Sequence, residues 1–121
     1  MAVMDVTDKL QLKPKSSVAV LGVPRGVSLR LADVKRRRDP SQADAVLAFV
    51  VSAADLNEVA APAVAAALED RLAWIAYPKA GQLDTDLNRD RLAVAARDHG
   101  IQPVRQVSID PVWSALRFRP I

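Results

Sequence analysis

Arg71-Leu-Ala-Trp-Ile-Ala-Tyr-Pro-Lys79, continuing as Ala-Gly-Gln-Leu-Asp-Thr-Asp-Leu-Asn-Arg-Asp90, is the stretch on which the reading of this chain turns. Its first half is an unbroken apolar run rich in strand-forming residues and ended by Pro78, the pattern of a strand buried on both faces. Its second half crowds Lys79, Asp84, Thr85, Asp86, Asn88, Arg89 and Asp90 into the loop that leaves that strand. Open α/β sheets build ligand crevices where buried strands empty into polar loops at their carboxyl edge. No residue set in this stretch spells a known reaction.

Working outward, Asp44 to Val51 (Asp-Ala-Val-Leu-Ala-Phe-Val-Val) and Val18 to Leu21 read as further buried strands. Between the second strand and the central one, Ser52-Ala-Ala-Asp55 opens a helix, with Ser52 placed to accept an amide hydrogen bond and Asp55 favourable in the first turn. Leu56, Val59, Ala63, Ala66 and Ala67 form its apolar face, and Pro62 should kink it or split it in two. A second helix is expected from about Asn88 to Asp98, with Leu92, Ala95 and Ala96 inward and Gly100 as its stop. Pro103 to Ile109 and Ser114 to Arg119 read as a closing antiparallel hairpin across Asp-Pro-Val-Trp. At the other end, Val6, Leu10 and Val3 suit one or two helical turns, stopped by Lys13-Pro14. The pattern implies a three-layer α/β domain: a mostly parallel sheet with an antiparallel C-terminal hairpin.

Val27 to Arg38 has two equal readings. Val27, Leu29 and Leu31 alternate with Ser28 and Arg30, which suits a hairpin strand after Pro24-Arg25-Gly26. Val27, Leu31 and Val34 are equally well spaced for a helix ending in Arg36 to Arg38. Lys35-Arg-Arg-Arg-Asp-Pro40 is a surface loop on either reading.

The 121 residues read as one domain, 1–121, long enough to bury a core without metal or disulfide staples. Without cysteine there is no thiol chemistry. An acid stands where a signal peptide needs base, no apolar run follows it, and no segment approaches a membrane span, so the expected location is cytoplasmic with no membrane contact. The net charge of +3 leaves room for an acidic partner such as a phosphate without requiring one.

Several constellations have bland readings. Asp84, Asp86 and Asn88 alternate like the start of a calcium loop, but Arg89 stands where that loop needs glycine and Ala95 where it needs the closing glutamate. Helix capping accounts for them better. His99, the only histidine, precedes a helix-ending glycine and is read as structural; no metal set can be assembled. Lys35 to Arg38 reads as a solvated loop. Trp74 fills core.

The carboxyl rim is different. Arg25, Ser52, Lys79, the loop from Asp84 to Arg89, and the hairpin residues Asp110, Trp113 and Ser114 should emerge there together. Candidate ligand-binding residues are therefore Lys79, Thr85, Asp86, Asn88, Arg89, Asp110, Trp113 and Ser114. Lys79 and Arg89 would bind an anion, and Trp113 would offer a stacking face. The competing reading pairs Lys79 or Arg89 with Asp84, Asp86 or Asp110 and uses Trp113 to cover the sheet end.

Lys9-Leu-Gln-Leu-Lys-Pro14, Val18-Ala-Val-Leu-Gly-Val-Pro24, Trp74-Ile-Ala-Tyr-Pro-Lys79, Thr85-Asp-Leu-Asn-Arg-Asp90 and the run from Val107 to Pro120 resemble a bacterial family carrying a domain of unknown function. The resemblance spans nearly the whole chain and implies a small Rossmann-like domain without an assigned activity. More distantly, the layout is similar to a shortened class I methyltransferase. That likeness implies a glycine-rich turn after the first strand, admitting the amino-acid end of adenosylmethionine, and an acid after the second strand for the ribose. Here the turn is Gly22-Val-Pro-Arg-Gly26, with valine and proline where backbone should approach a ligand, and the acid has no clear counterpart. No cofactor is expected.

Three function classes follow. The favoured one is a non-catalytic binding or interaction module with an anion site at the carboxyl edge, because no nucleophile or general-base pair can be assembled. The alternatives are a degenerate methyltransferase-like enzyme using Asp86 or Asp110 as base, and a nucleic-acid binder using the arginine-rich loop. A homodimer, if Ser114 to Arg119 ends the sheet, is expected to avoid strand pairing there because Arg117 and Arg119 guard that edge.

Overall fold

The computed structural model describes residues 6–27, 29, 31, 33–79, 81–83 and 85–121. The expectations placed on Val3, Ser28, Arg30 and Asp84 lie outside the described residues. Six strands form one sheet in the order β2-β1-β3-β4-β6-β5. They are β1 (Ser17–Leu21), β2 (Lys35–Arg36), β3 (Ala45–Phe49), β4 (Leu72–Pro78), β5 (Ile101–Ser108) and β6 (Trp113–Pro120). Strands β2, β1, β3 and β4 run parallel, and β6 enters antiparallel to both β4 and β5. This is a Rossmann-like α/β fold, mostly parallel with an antiparallel C-terminal pair.

β4 is interior because its side chains satisfy two cores at once. Ala73, Ile75 and Tyr77 pack on one face, and Trp74 and Ala76 on the other. The first face is covered by α1 (Ala61–Leu68) and by Leu92 and Ala96 of α2 (Arg89–Arg97). Alanines at 63, 66 and 67 are fully buried there, and their small side chains let α1 lie close to the sheet. Pro62 stands at the first turn of α1, and a separate 3-10 helix, Ala53–Asn57, precedes it. Proline has thus split the expected helix and begun its second half, where its missing amide costs nothing.

The opposite face is covered differently. A single turn at the start of the chain, closed by the Leu10 amide donating to the Val6 carbonyl (2.9 Å), buries Val6, Leu10 and Leu12. Beside it Val27, Leu29, Leu31 and Val34 lie half-buried on the same core. Among the described residues, the stretch from 27 to 34 forms neither of the expected elements. β2 runs parallel to β1, which rules out a hairpin across Pro24 to Gly26. Apolar spacing in this segment serves to bring these four side chains onto the core. Lys35 and Arg36, expected in a loop, pair with Ser17 and Val18 as an exposed edge strand, and their charges suit that position.

The hairpin also differs from expectation in one respect. β6 lies between β4 and β5, so Ser114 to Arg119 does not end the sheet; β5 does. β6 carries Trp113, Ala115, Leu116 and Phe118, all buried, whereas β5 carries Pro103 and three exposed residues from Val104 to Gln106. The more apolar strand goes inside, and proline is tolerated at the edge.

Candidate functional site

β1 has β2 on one side and β3 on the other, so the topological switch point of the sheet lies between the carboxyl ends of β1 and β3. That place is filled. Gly22 follows β1 with a positive φ of 69°, and a Cβ added there would stand 2.8 Å from Cγ2 of Val59 and 3.1 Å from the carbonyl oxygen of Phe49. No helix follows the turn among the described residues before β2. Asp39, three residues past β2, is occupied: its carboxylate accepts from the amide (3.0 Å) and hydroxyl (2.7 Å) of Ser41, which holds its pKa below the ordinary value.

A cleft of about 630 Å³ opens instead on the far side of β4, where the carboxyl end of β4 meets the start of α2 and the β5–β6 hairpin. Lys79, Asn88, Arg89 and Ser114 line it, together with Tyr77, Gln106 and Ser108. Each is placed by a local feature. Lys79 leaves β4 directly after Pro78 and is held by its own amide donating to the Val112 carbonyl (2.7 Å). Its ammonium donates to the Ser108 hydroxyl at 2.8 Å. Asn88 caps α2, its side-chain oxygen accepting from the Arg91 amide at 2.8 Å, as the sequence led one to expect. Arg89 is the first residue of α2, with its side chain 57% exposed and 3.5 Å from Asp90, whose side chain is 88% exposed.

Tyr77, on the helix side of β4, is 3% exposed, and its hydroxyl accepts from the Gln106 amide at 3.2 Å. Ser114 stands opposite Tyr77 in the β4–β6 register and is 5% exposed, which sets its hydroxyl on the same face of the sheet as the tyrosine. Burial raises the pKa of Tyr77, outweighing the opposing effect of the Ser114 hydrogen bond. Among the described residues, those lining the cleft include two cations and no carboxylate.

The other four candidates stand elsewhere. Thr85 donates its hydroxyl to the Val51 carbonyl (2.7 Å) and accepts from the Leu87 amide (3.0 Å), tying the loop to the end of β3. The Asp86 carbonyl accepts from the Arg91 guanidinium (2.8 Å), and the residue is exposed and does not line the cleft. Asp110 accepts from the amides of Val112 (2.8 Å) and Trp113 (2.7 Å), forming the hairpin turn. Trp113 is only 2% exposed, edge-on to Phe49 with ring centroids 5.1 Å apart, so it offers no stacking face; it seals the lower core. Arg25 and Ser52 do not line the cleft either.

Tyr77, Gln106 and Ser108 escaped the sequence reading. A signal for Ser108 was present: a hairpin centred on Asp-Pro-Val sets Ser108 opposite Ser114, as the register confirms. Tyr77 looked like core, which it also is.

No family model and no curated protein matches the chain. Among solved structures, it is similar to a SAM-dependent methyltransferase from Aquifex aeolicus, with a TM-score of 0.50 and 12% identity over 96% of this chain and 88% of that one. It is also similar to the fibrillarin pre-rRNA processing protein of Methanococcus jannaschii, with a TM-score of 0.49 and 13% identity over 90% of this chain and 69% of that one. At 12% identity the likeness to the Aquifex aeolicus protein is one of fold, and the chain has a methyltransferase-like fold.

Proposed function

We propose that this chain is a non-catalytic binding module that holds a small anion-bearing molecule in the cleft beside β4. The observation that carries this reading is the pairing of Lys79 and Arg89 on a cleft with no carboxylate among its described lining residues. The amino end of α2 adds a favourable field for negative charge. Asp110, which would repel an anion if free, is taken up by two backbone amides. Asp90 competes for Arg89, but an ion pair this exposed is weak and readily exchanged.

The methyltransferase-like fold favours an enzymatic reading equally, since fold does not fix function. The residues present do not fit adenosylmethionine. Val59 and the Phe49 carbonyl crowd the side-chain position of Gly22, no helix follows that turn before β2 among the described residues, and Asp39 is engaged by Ser41. As a base, Asp86 is not among the residues that line the cleft and Asp110 is committed to a turn. The exposed run Lys35 to Arg38 supports a weaker reading as a nucleic-acid contact. Any self-association would use helix or sheet faces, because the outer strand β5 carries Pro103 and Arg105.

A thermal-shift screen with nucleotides, adenosylmethionine and phosphorylated metabolites tests the proposal. Stabilisation by phosphorylated compounds, competed by inorganic phosphate, is the expected result. Saturable micromolar binding of adenosylmethionine would move the protein to the enzyme class. Salt-sensitive binding of labelled RNA or DNA, lost on neutralising Lys35 to Arg38, would move it to the third.

A further inference from the structure

The cleft is much larger than the charge that Lys79 and Arg89 would hold. Its volume of about 630 Å³ equals the share of roughly twenty water molecules in the liquid, whereas a single anionic group replaces only a few. The rest of the ligand must meet the other wall. There Tyr77 and Ser114 present buried hydroxyls side by side in the β4–β6 register, and the Gln106 side-chain amide donates to the Tyr77 hydroxyl at 3.2 Å, so the three groups form one polar wall. All three groups are neutral, and burial favours the protonated tyrosine. A second charge on the ligand would be desolvated at this wall without a counter-ion. A hydroxyl both donates and accepts, as do the serine, the tyrosine and the carboxamide.

The mouth has a different character. Lys79 spends one donor on Ser108, leaving others of its ammonium free, and Asn88 uses only its side-chain oxygen for the helix cap, leaving its amide nitrogen as a donor. With Arg89 these make three separate donor groups, a number that suits a group with three terminal oxygens better than a carboxylate with two.

We propose that the cleft selects a phosphate monoester whose body carries free hydroxyls, a sugar phosphate being the simplest. Its phosphate sits at Lys79, Asn88 and Arg89, and a hydroxyl joins the relay that begins at the Gln106–Tyr77 hydrogen bond, beside Ser114. This rests on the anion reading above and adds the ligand's other end. The two ends separate experimentally when ribose 5-phosphate, ethyl phosphate and inorganic phosphate are titrated into the full chain by calorimetry. Ribose 5-phosphate should bind about tenfold more tightly than ethyl phosphate, the value of one well-made hydrogen bond. Tyr77→Phe and Gln106→Leu should each remove most of that advantage and leave the affinity for ethyl phosphate unchanged. Gln106 is exposed, so its variant reports even if the buried Tyr77→Phe unfolds. Equal binding of ribose 5-phosphate and ethyl phosphate, or an advantage that survives Gln106→Leu, overturns the relay while leaving the anion site standing. Failure of all three compounds to bind overturns both.

Discussion

Ser17 and Asp44 exchange hydrogen bonds across the amino ends of β1 and β3: the Ser17 amide donates to the Asp44 carboxylate at 2.9 Å, and the Asp44 amide donates to the Ser17 hydroxyl at 2.9 Å. The clamp starts the parallel register in which Val18 faces Ala45. It gives two strands far apart in sequence a polar reason to begin side by side. Those hydrogen bonds, led by the Ser17 amide, lower the Asp44 pKa from its ordinary value of 3.8. A carboxyl whose folded pKa is depressed adds stability that is fully present above the unfolded pKa and is lost as pH falls through the folded one. Wild-type stability should therefore decline below about pH 4, and Asp44→Asn should flatten that part of the pH profile. At neutral pH the same variant should cost about 1 kcal/mol, the low end for a charged hydrogen bond because the group is exposed. Denaturant melts at a series of pH values would show both.

Gly22 and Val59 make a second prediction. Gly22→Ala places a Cβ 2.8 Å from a valine methyl that is stiff about χ1 and 3.1 Å from a main-chain oxygen, at a φ of 69°. Loss of about 1–3 kcal/mol is expected from the backbone conformation and the contact together. Adding Val59→Ala should recover only part of it, because the Phe49 carbonyl and the positive φ remain. Full recovery in the double variant would show that the valine methyl alone closes the turn. The same double variant asks whether widening the turn is enough to admit adenosylmethionine; no binding is expected, since among the described residues no helix follows the turn before β2.

Trp74 ties the sheet to the start of the chain. Its indole donates to the Leu10 carbonyl at 2.9 Å while its ring fills the core beneath Val6 and Leu10. Trp74→Phe should cost about 2–4 kcal/mol through lost volume and an orphaned carbonyl. Amide exchange should quicken first in residues 6–12, which depend on that contact, and only later in α1, which packs on the other face. Uniform quickening of both regions would count against a separately anchored N-terminal turn.

The three inner parallel strands were legible because each is apolar on both faces, and that signal survives without any knowledge of neighbours. The stretch from 27 to 34 was not, because Val27, Leu29, Leu31 and Val34 obey the strand period and the helix period in part. The structure sets all four of these side chains half-buried against one core. Trp113 left two readings open, a stacking face or a cover for the sheet end, and the register opposite Pro78 with the ring edge-on to Phe49 favours the second. The cleft was half legible. Lys79, Asn88 and Arg89 belong to one contiguous loop, whereas Tyr77, Gln106 and Ser108 reach it only through pairing of strands distant in sequence.

Lys79 and Arg89 carry the last prediction. Both should contribute to anion binding, but unequally. Lys79 is half-buried and already oriented by Ser108, so little side-chain entropy remains to be lost on binding. Arg89 is 57% exposed and must leave Asp90 to serve a ligand. Removal of a charged hydrogen bond costs about 1–3 kcal/mol; Lys79→Ala should fall at the upper end of that range and Arg89→Ala at the lower. Both variants should melt close to wild type, since neither side chain belongs to a buried core. Raising salt should weaken the Arg89 contribution more than that of Lys79, because exposed charges are screened more strongly. Asp90→Asn should act in the opposite direction, freeing Arg89 and tightening the binding of a phosphorylated ligand. Calorimetry of the three variants at low and high salt measures all of these effects. Unchanged affinity in both Lys79→Ala and Arg89→Ala, or a ligand found bound elsewhere on the sheet, would reject the site.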